Sequence, residues 1–178
     1  MSQDALQQDI SPDGGTSDAV DVIVQEWLRE RPDLDAGAKE VTGRIVRLAS
    51  LFQQAYSDTF GPLGLNDGDY GVLAPLRRAG APHELTPTEL ARHRMMTSGG
   101  MTAALDRLER KGLVTRVPNP ADRRGSLVRL TEAGRDVMDE AMTQHVLTEQ
   151  RLVASLDEHE RNQLRALLRK LLNAVDSR

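Results

Sequence analysis

Apolar residues recur at spacings of three and four along most of this chain, the period of a helix with one buried face. Val20, Val24, Trp27 and Leu28 mark a first helix, which Ser17 or Asp18 can cap and Arg31-Pro32-Asp33 ends. Val41, Ile45, Leu48, Phe52 and Tyr56 form a second stripe, predicting a helix over 36–60 that Gly61-Pro62-Leu63-Gly64 breaks. Tyr70, Leu73 and Leu76 mark a third, opened by Asn66 or Asp67 and reaching about residue 78, with one hydrogen bond lost at Pro75. Thr86-Pro87-Thr88-Glu89 is a capping box with Pro at the first helical position, so a short helix follows to about residue 93. The chain turns at Arg94-Met95-Met96, and Thr97 or Ser98 caps a fifth helix whose stripe is Met101, Leu105 and Leu108. Gly112, after Lys111, closes it. Two short strands, 113–117 and 127–130, flank a turn over 118–125 that is rich in Pro, Asn and Gly. Thr131 then caps a long helix to about residue 156, and Asp157-x-x-Glu160 opens a last one carrying Leu164, Leu167, Leu168, Leu171, Leu172 and Val175.

Residues 85–131 therefore read as helix, tight turn, helix and β-hairpin, the order of a winged helix-turn-helix that reads duplex DNA. Opposite the stripe of the fifth helix lie Ser98, Gly99, Thr102, Ala103, Asp106, Arg107 and Arg110. Small and hydroxylated side chains at that helix start allow close approach to phosphates and base edges, and its N–H groups favour phosphate. Arg123 and Arg124 sit in the polar turn of the hairpin, where a guanidinium can enter a minor groove. Each has a plainer reading. The two arginines can be solvated loop charges, Ser98 and Thr102 can be cap and helix filler, and Arg107 can form helix pairs with the interleaved Asp106 and Glu109.

Net charge is −4, which is unexpected for a DNA binder, but its distribution is uneven. Residues 77–129 hold eleven Lys and Arg against five acids, a segment of +6 that leaves −10 for the remainder. A basic segment between acidic arms is the footprint of groove binding. Only 3% of residues are aromatic, so the core must be aliphatic, which suits helices. The absence of cysteine excludes disulfides and thiolate chemistry. No run of 18 apolar residues suggests a membrane span, and the polar start of the chain does not read as a secretory signal, so a cytoplasmic protein is expected. His83, His93, His145 and His159 show no metal spacing, and no nucleophile elbow, phosphate loop or dinucleotide fingerprint is present. No catalytic residue, metal or cofactor is expected.

The stretch LARHRMMTSGGMTAALDRLERKGLVTR, followed by Asp122-x-Arg124 and Leu130-Thr131-x-x-Gly134, resembles the MarR family of bacterial transcription regulators over residues 36–175. The resemblance implies a mainly α fold: a winged helix-turn-helix over 65–131 and a helical dimerisation region over 36–64 and 132–178. An added helix over 17–35 and a disordered arm over 1–16 precede them. It implies DNA contacts from Thr97, Ser98, Gly99, Thr102, Ala103, Arg107, Arg123 and Arg124, with Asp122 supporting the wing. The added helix, with the Trp27–Asp35 stretch WLRERPDLD, looks like the PecS/HucR-like branch, some members of which respond to urate. Trp27 and Arg116 match that branch's ligand-site tryptophan and one of its arginines, and Tyr70 joins them as a candidate ligand residue. The branch's acidic position falls on Gly71 and its other arginine on Ala104, so a small-molecule effector other than urate is expected. Trp27 is otherwise a packing residue.

The expected function is a ligand-responsive repressor acting as a homodimer on pseudo-palindromic duplex DNA. The leucine face of the last helix, with the 36–60 helix, is expected to form a dimer seam of coiled-coil type, or failing that a core within one protomer. The alternative function is a protein-interaction scaffold whose winged module no longer binds DNA specifically.

Overall fold

The computed structural model describes residues 17–94 and 98–177; at positions 93, 94, 98, 99, 123 and 124 it describes the backbone alone. The 1–16 arm and Thr97 lie outside the described residues. Seven helices and three strands follow in order: α1 (Ala19–Glu30), α2 (Ala38–Phe60), a 3-10 turn (Gly61–Leu63), α3 (Asp67–Arg78), β1 (Glu84–Leu85), α4 (Pro87–Arg94), α5 (Ser98–Arg110), β2 (Val114–Asn119), β3 (Asp122–Leu130), α6 (Glu132–Leu152) and α7 (Glu158–Asp176). Among the described residues, no helix is long and apolar enough to cross a membrane.

The chain divides into two compact units, Met1–Gln53 and Gln54–Arg178. In the first, Asp18 rather than Ser17 caps α1, accepting the N–H groups of Val20 and Asp21 while Asp21 receives the Asp18 N–H. Arg44 of α2 bridges both carboxylates, at 2.9 Å from Asp18 and 2.5 Å from Asp21. A small core of Val20, Val24 and Ala36 forms beneath this link. The apolar face expected of α1 is only partly used, because Trp27 and Leu28 stay 46% and 40% exposed.

The second unit holds the main core. Phe60, Val72, Leu73, Leu76, Leu90, Leu108 and Val128 are wholly buried there. The stripes expected on α3 and α5 supply most of it, with Met101, Ala104 and Leu105 also buried. The sheet has the order β1-β3-β2 and is antiparallel throughout. β1 was not visible in the sequence pattern; it pairs Glu84 with Arg129 and Leu85 with Val128.

The hairpin corrects the expected 118–125 turn. Pairing continues through Pro118↔Ser126 to Asn119↔Asp122, so the turn shrinks to Pro120-Ala121. Pro118 is tolerated because β2 is an edge strand, where a missing N–H costs no ladder bond. Asn119 Oδ1 accepts the Ala121 N–H at 3.0 Å and tightens the turn. Asp122, Arg123 and Arg124 therefore start β3 rather than sit in a loop.

α6 ends at Leu152, four residues before the expected limit. Its start is tightly built. Thr131 accepts the Gly134 N–H at 3.0 Å, and its hydroxyl donates to the Gly112 carbonyl at 2.7 Å. The Thr131 N–H donates to the Leu113 carbonyl at 3.1 Å. α7 begins in the expected Asp157–Glu160 capping box and buries no residue at all.

Candidate nucleic-acid interface

α5 is built to present one face. Met101, Ala104, Leu105 and Leu108 anchor it in the core, while Thr102, Ala103 and Arg110 are exposed on the other side. The expected reader positions Thr102 and Ala103 thus share the exposed face, and Ser98 and Gly99 lie in the first turn of the helix. The side chains of Ser98, Arg123 and Arg124 lie outside the described structure, as does the whole of Thr97. α4, which precedes α5, is capped as expected: Glu89 accepts the Thr86 N–H at 2.7 Å, and Thr86 Oγ1 accepts the Glu89 N–H at 3.2 Å.

Arg107 departs from expectation. It is not paired with Asp106 or Glu109 in its own helix, and its guanidinium is turned onto Asp69 of α3. Nε donates to Asp69 Oδ1 at 2.8 Å, and Nη2 lies 2.7 Å from the same oxygen as an ion pair. Lys111 joins it, donating to Asp69 Oδ2 at 2.8 Å and to the Gly64 carbonyl at 2.7 Å. Asp106 and Glu109 instead clasp Arg116 of β2; Glu109 Oε2 receives Arg116 Nη1 at 2.9 Å, and Asp106 receives Nη2. Two of the cations that seemed free to meet phosphate or ligand, Arg107 and Arg116, thus hold the helix to its neighbours. Arg110 is the cation of α5 without a carboxylate partner among the described residues.

Asp69 was not singled out by the sequence. The signal available was its place three residues after Asn66, the spacing of a capping box, and the box is present: Asp69 donates its N–H to Asn66 Oδ1 at 2.8 Å and accepts the Asn66 N–H at 3.3 Å. Burial alone would push its carboxyl up. Hydrogen bonds from Lys111 and Arg107 outweigh that and hold it below the ordinary carboxylate range. A lowered folded pKa means the stabilisation is complete above the unfolded value, about 3.9, and disappears as pH falls through the folded value. The gap in thermal midpoint between the wild type and Asp69→Asn should therefore narrow as pH is lowered through the acid range. A gap constant with pH would contradict preferential binding of the ionised form.

Of the three candidate ligand residues, one lies in the first unit and two in the second. Trp27 belongs to the first unit, half-exposed, with the Lys39 ammonium 5.8 Å from its ring centre. Arg116 is committed to its two carboxylates. Tyr70 stacks on Phe60 at 4.3 Å between centroids, with His145 at 5.0 Å, and its hydroxyl donates to Met142 Sδ at 3.3 Å. Burial pushes the Tyr70 phenol up, and the Glu149 charge adds to this, so it remains a neutral donor at physiological pH. Near this aromatic group an open groove of about 580 Å³ runs between the end of α2 and α6, lined among others by Thr59, Gln144, Thr148 and Arg151. Arg151 donates to Thr148 Oγ1 at 2.8 Å.

Comparison with known proteins places this geometry. Residues 63–125, which run from before α3 through most of the hairpin, match the family model described as "MarR family". The chain is 36% identical over 146 residues to the HTH-type transcriptional regulator PecS of Dickeya dadantii, covering 82% of this chain and 88% of that protein. It is 33% identical over 135 residues to the multiple antibiotic resistance protein MarR of Escherichia coli, covering 73% and 90%. Among solved structures, a MarR family regulator from Streptomyces coelicolor in complex with DNA superposes with a TM-score of 0.71 at 26% identity, over 80% of this chain and 93% of that one. An E. coli MarR mutant complexed with operator DNA gives 0.66 at 29% identity, over 82% and 97%. With PecS matched over most of its length and the reader helix and hairpin in place, the chain belongs to the MarR family of transcriptional regulators.

Proposed function

We propose that this regulator is a ligand-responsive repressor that binds a pseudo-palindromic duplex operator in the cytoplasm as a homodimer. The observation that carries the reading is the exposed Thr102–Ala103 face of α5, backed by a rigid core and followed by a hairpin whose second strand opens with Asp122, Arg123 and Arg124. Relatives of this fold solved with DNA support it. In this reading α5 enters the major groove, with Thr97, Ser98, Gly99, Thr102 and Ala103 against phosphates and base edges. Arg123 and Arg124 reach the flanking minor groove or backbone, with Asp122 supporting the hairpin. Arg107 is assigned to bracing rather than contact, because Asp69 holds it. Two protomers would place their readers on half-sites roughly 10–10.5 bp apart or a multiple of that.

The effector is a small molecule taken up beside the Tyr70 cluster, and Trp27 is a candidate reporter of it. Urate is disfavoured because the two positions that would hold it polar-side carry Gly71 and the buried Ala104. Release of DNA requires that the effector bind the non-reading arrangement more tightly than the reading one.

Replacing Arg124 with Ala is expected to weaken DNA binding about tenfold, ~1.4 kcal/mol, alike on all sequences, and to lower the salt slope by about one. Fluorescence anisotropy at several salt concentrations reads both, with circular dichroism and sedimentation showing the fold and assembly intact. Unchanged affinity and slope would turn the hairpin to some other partner.

A further inference from the structure

Asp69 is 0% exposed, an unusual place for a carboxylate on a helix start. The matching positions of two other capping boxes, Asp21 and Glu160, do not share it: Asp21 keeps 22% of its side chain exposed and Glu160 is exposed. Every acceptor direction of Asp69 is used. Oδ1 takes the Arg107 Nε bond with Nη2 at 2.7 Å beside it, and Oδ2 takes Lys111 at 2.8 Å and the Asn66 N–H at 3.3 Å. The space is also tight, since a Cβ on Gly68 would meet Asn66 Oδ1 at 2.8 Å and Arg107 Nη2 at 3.5 Å.

The two cations are four residues apart, Arg107 in the last turn of α5 and Lys111 just beyond it. They keep about a third of their side chains exposed, 34% and 35%, so water could have solvated them without this partner. Instead they converge on one buried carboxylate, and Lys111 also caps the Gly64 carbonyl before α3. The C-terminal end of the reader helix is thus pinned at two points to the start of α3. A helix end held by a guanidinium on one oxygen and an ammonium on the other oxygen of the same buried carboxylate is restrained in roll, because rotation would have to break both charged contacts.

Resting on the DNA-reading function above, we propose that Asp69 is the positioning residue of the reader helix: by clamping Arg107 and Lys111 it sets the roll with which α5 meets base edges, and so contributes to sequence discrimination rather than to phosphate attraction. Arg107 and Lys111 then add nothing to the count of phosphate contacts. Base readout depends on side-chain placement, whereas phosphate attraction tolerates a loosened helix.

The test uses the full chain and two duplexes: the tightest binder that the wild type selects from a randomised pool, and a scrambled duplex of the same composition. Affinity for each is measured over a salt series for the wild type, Asp69→Asn and Arg107→Gln. For Asp69→Asn the selected-to-scrambled ratio should fall at least tenfold, with no decrease in salt slope on the scrambled duplex. Arg107→Gln keeps a donor toward Asp69 but removes the charge and the fork. It should also lose discrimination without a lower slope, and it decides the matter if Asp69→Asn fails to fold. A merely structural role would lower the active fraction on both duplexes equally and leave the ratio intact, which overturns the proposal. A slope lowered by about one in Arg107→Gln with discrimination intact would make Arg107 a phosphate contact, and overturns it too. If the wild type itself shows no salt-sensitive binding, the DNA reading falls and takes this inference with it. A selective wild type beside an equally selective Asp69→Asn removes the inference alone.

Discussion

Gly134→Ala should destabilise this protein by about 3–5 kcal/mol, a large part of the 5–15 kcal/mol typical of a domain. At an ordinary helical site the same change would help by about 1 kcal/mol, because alanine loses less entropy than glycine on folding. Geometry reverses the sign here. A Cβ on Gly134 would lie 2.0 Å from the Leu113 carbonyl oxygen, 2.9 Å from the Leu113 carbonyl carbon and 2.9 Å from Leu130 Cδ1. Two of those atoms are backbone at the base of the hairpin, so no rotamer change relieves the clash. α6 must move away from β2, and the junction loses what Thr131 builds: its N–H to Leu113 and its hydroxyl to Gly112. Overpacking costs about 1–3 kcal/mol and each lost hydrogen bond about 1. Urea unfolding followed by circular dichroism measures the difference. Gly61→Ala is the control, since a Cβ there meets nothing within 4 Å. A Gly134→Ala midpoint matching the wild type would mean the hairpin base is far more pliant than its contacts imply.

The Leu-Thr-x-x-Gly motif shows how far the sequence could be read. It announced a helix start, and the helix is there; that its glycine is required by a backbone 21 residues earlier was not readable, because no local pattern encodes that approach. The same division runs through the chain. Capping boxes at Thr86 and Asp157 are contained within four residues each, and both appear as read, while of the two caps offered for α1 Asp18 is the one used. The stripe of α5, Met101, Leu105 and Leu108, is buried as read, with Ala104 buried beside it, and Thr102 and Ala103 fell on the exposed side. What stayed hidden depends on distant partners. β1 is two residues long, too short for any period, and exists only because Arg129 and Val128 lie opposite it. Asp69 looks like one more surface acid until residues 38 and 42 positions away fold over it. Arg116 looked available to a ligand because Asp106 and Glu109 belong to another element. Pro118, Asn119 and Pro120 suggested a long turn by composition, yet pairing persists through the first two because β2 lies at a sheet edge.

Leu168→Glu with Leu171→Glu is expected to convert the proposed dimer to a monomer and, with it, to abolish selective DNA binding. α7 buries none of its residues, yet Leu164, Leu167, Leu168, Leu171, Leu172 and Val175 are 41–64% exposed along it. Six large apolar side chains on one 19-residue helix form more contiguous apolar surface than a solvated helix ordinarily shows. Their spacing of three and four is that of a helix–helix seam, which we propose joins this helix, with α2, to a second copy of the chain. Burying the exposed half of one leucine contributes about 1 kcal/mol, so two leucines in each of two protomers contribute about 4 kcal/mol. At 1.4 kcal/mol per decade, losing them weakens association about a thousandfold, and four glutamates brought face to face weaken it further. Because neither leucine supports the core of its own protomer, the variant should keep its helicity and its Asp157 cap. Sedimentation equilibrium should find the wild type at twice 19.6 kDa and the variant at that mass. DNA binding should then fall to the weak, salt-driven level of a single winged module, since selectivity requires two readers held at a fixed spacing. A variant that still sediments as a dimer would place the seam on other residues, the exposed Val41, Val46, Leu48 and Leu51 of α2 being the next to test. A variant that is monomeric yet equally selective would separate assembly from operator reading altogether.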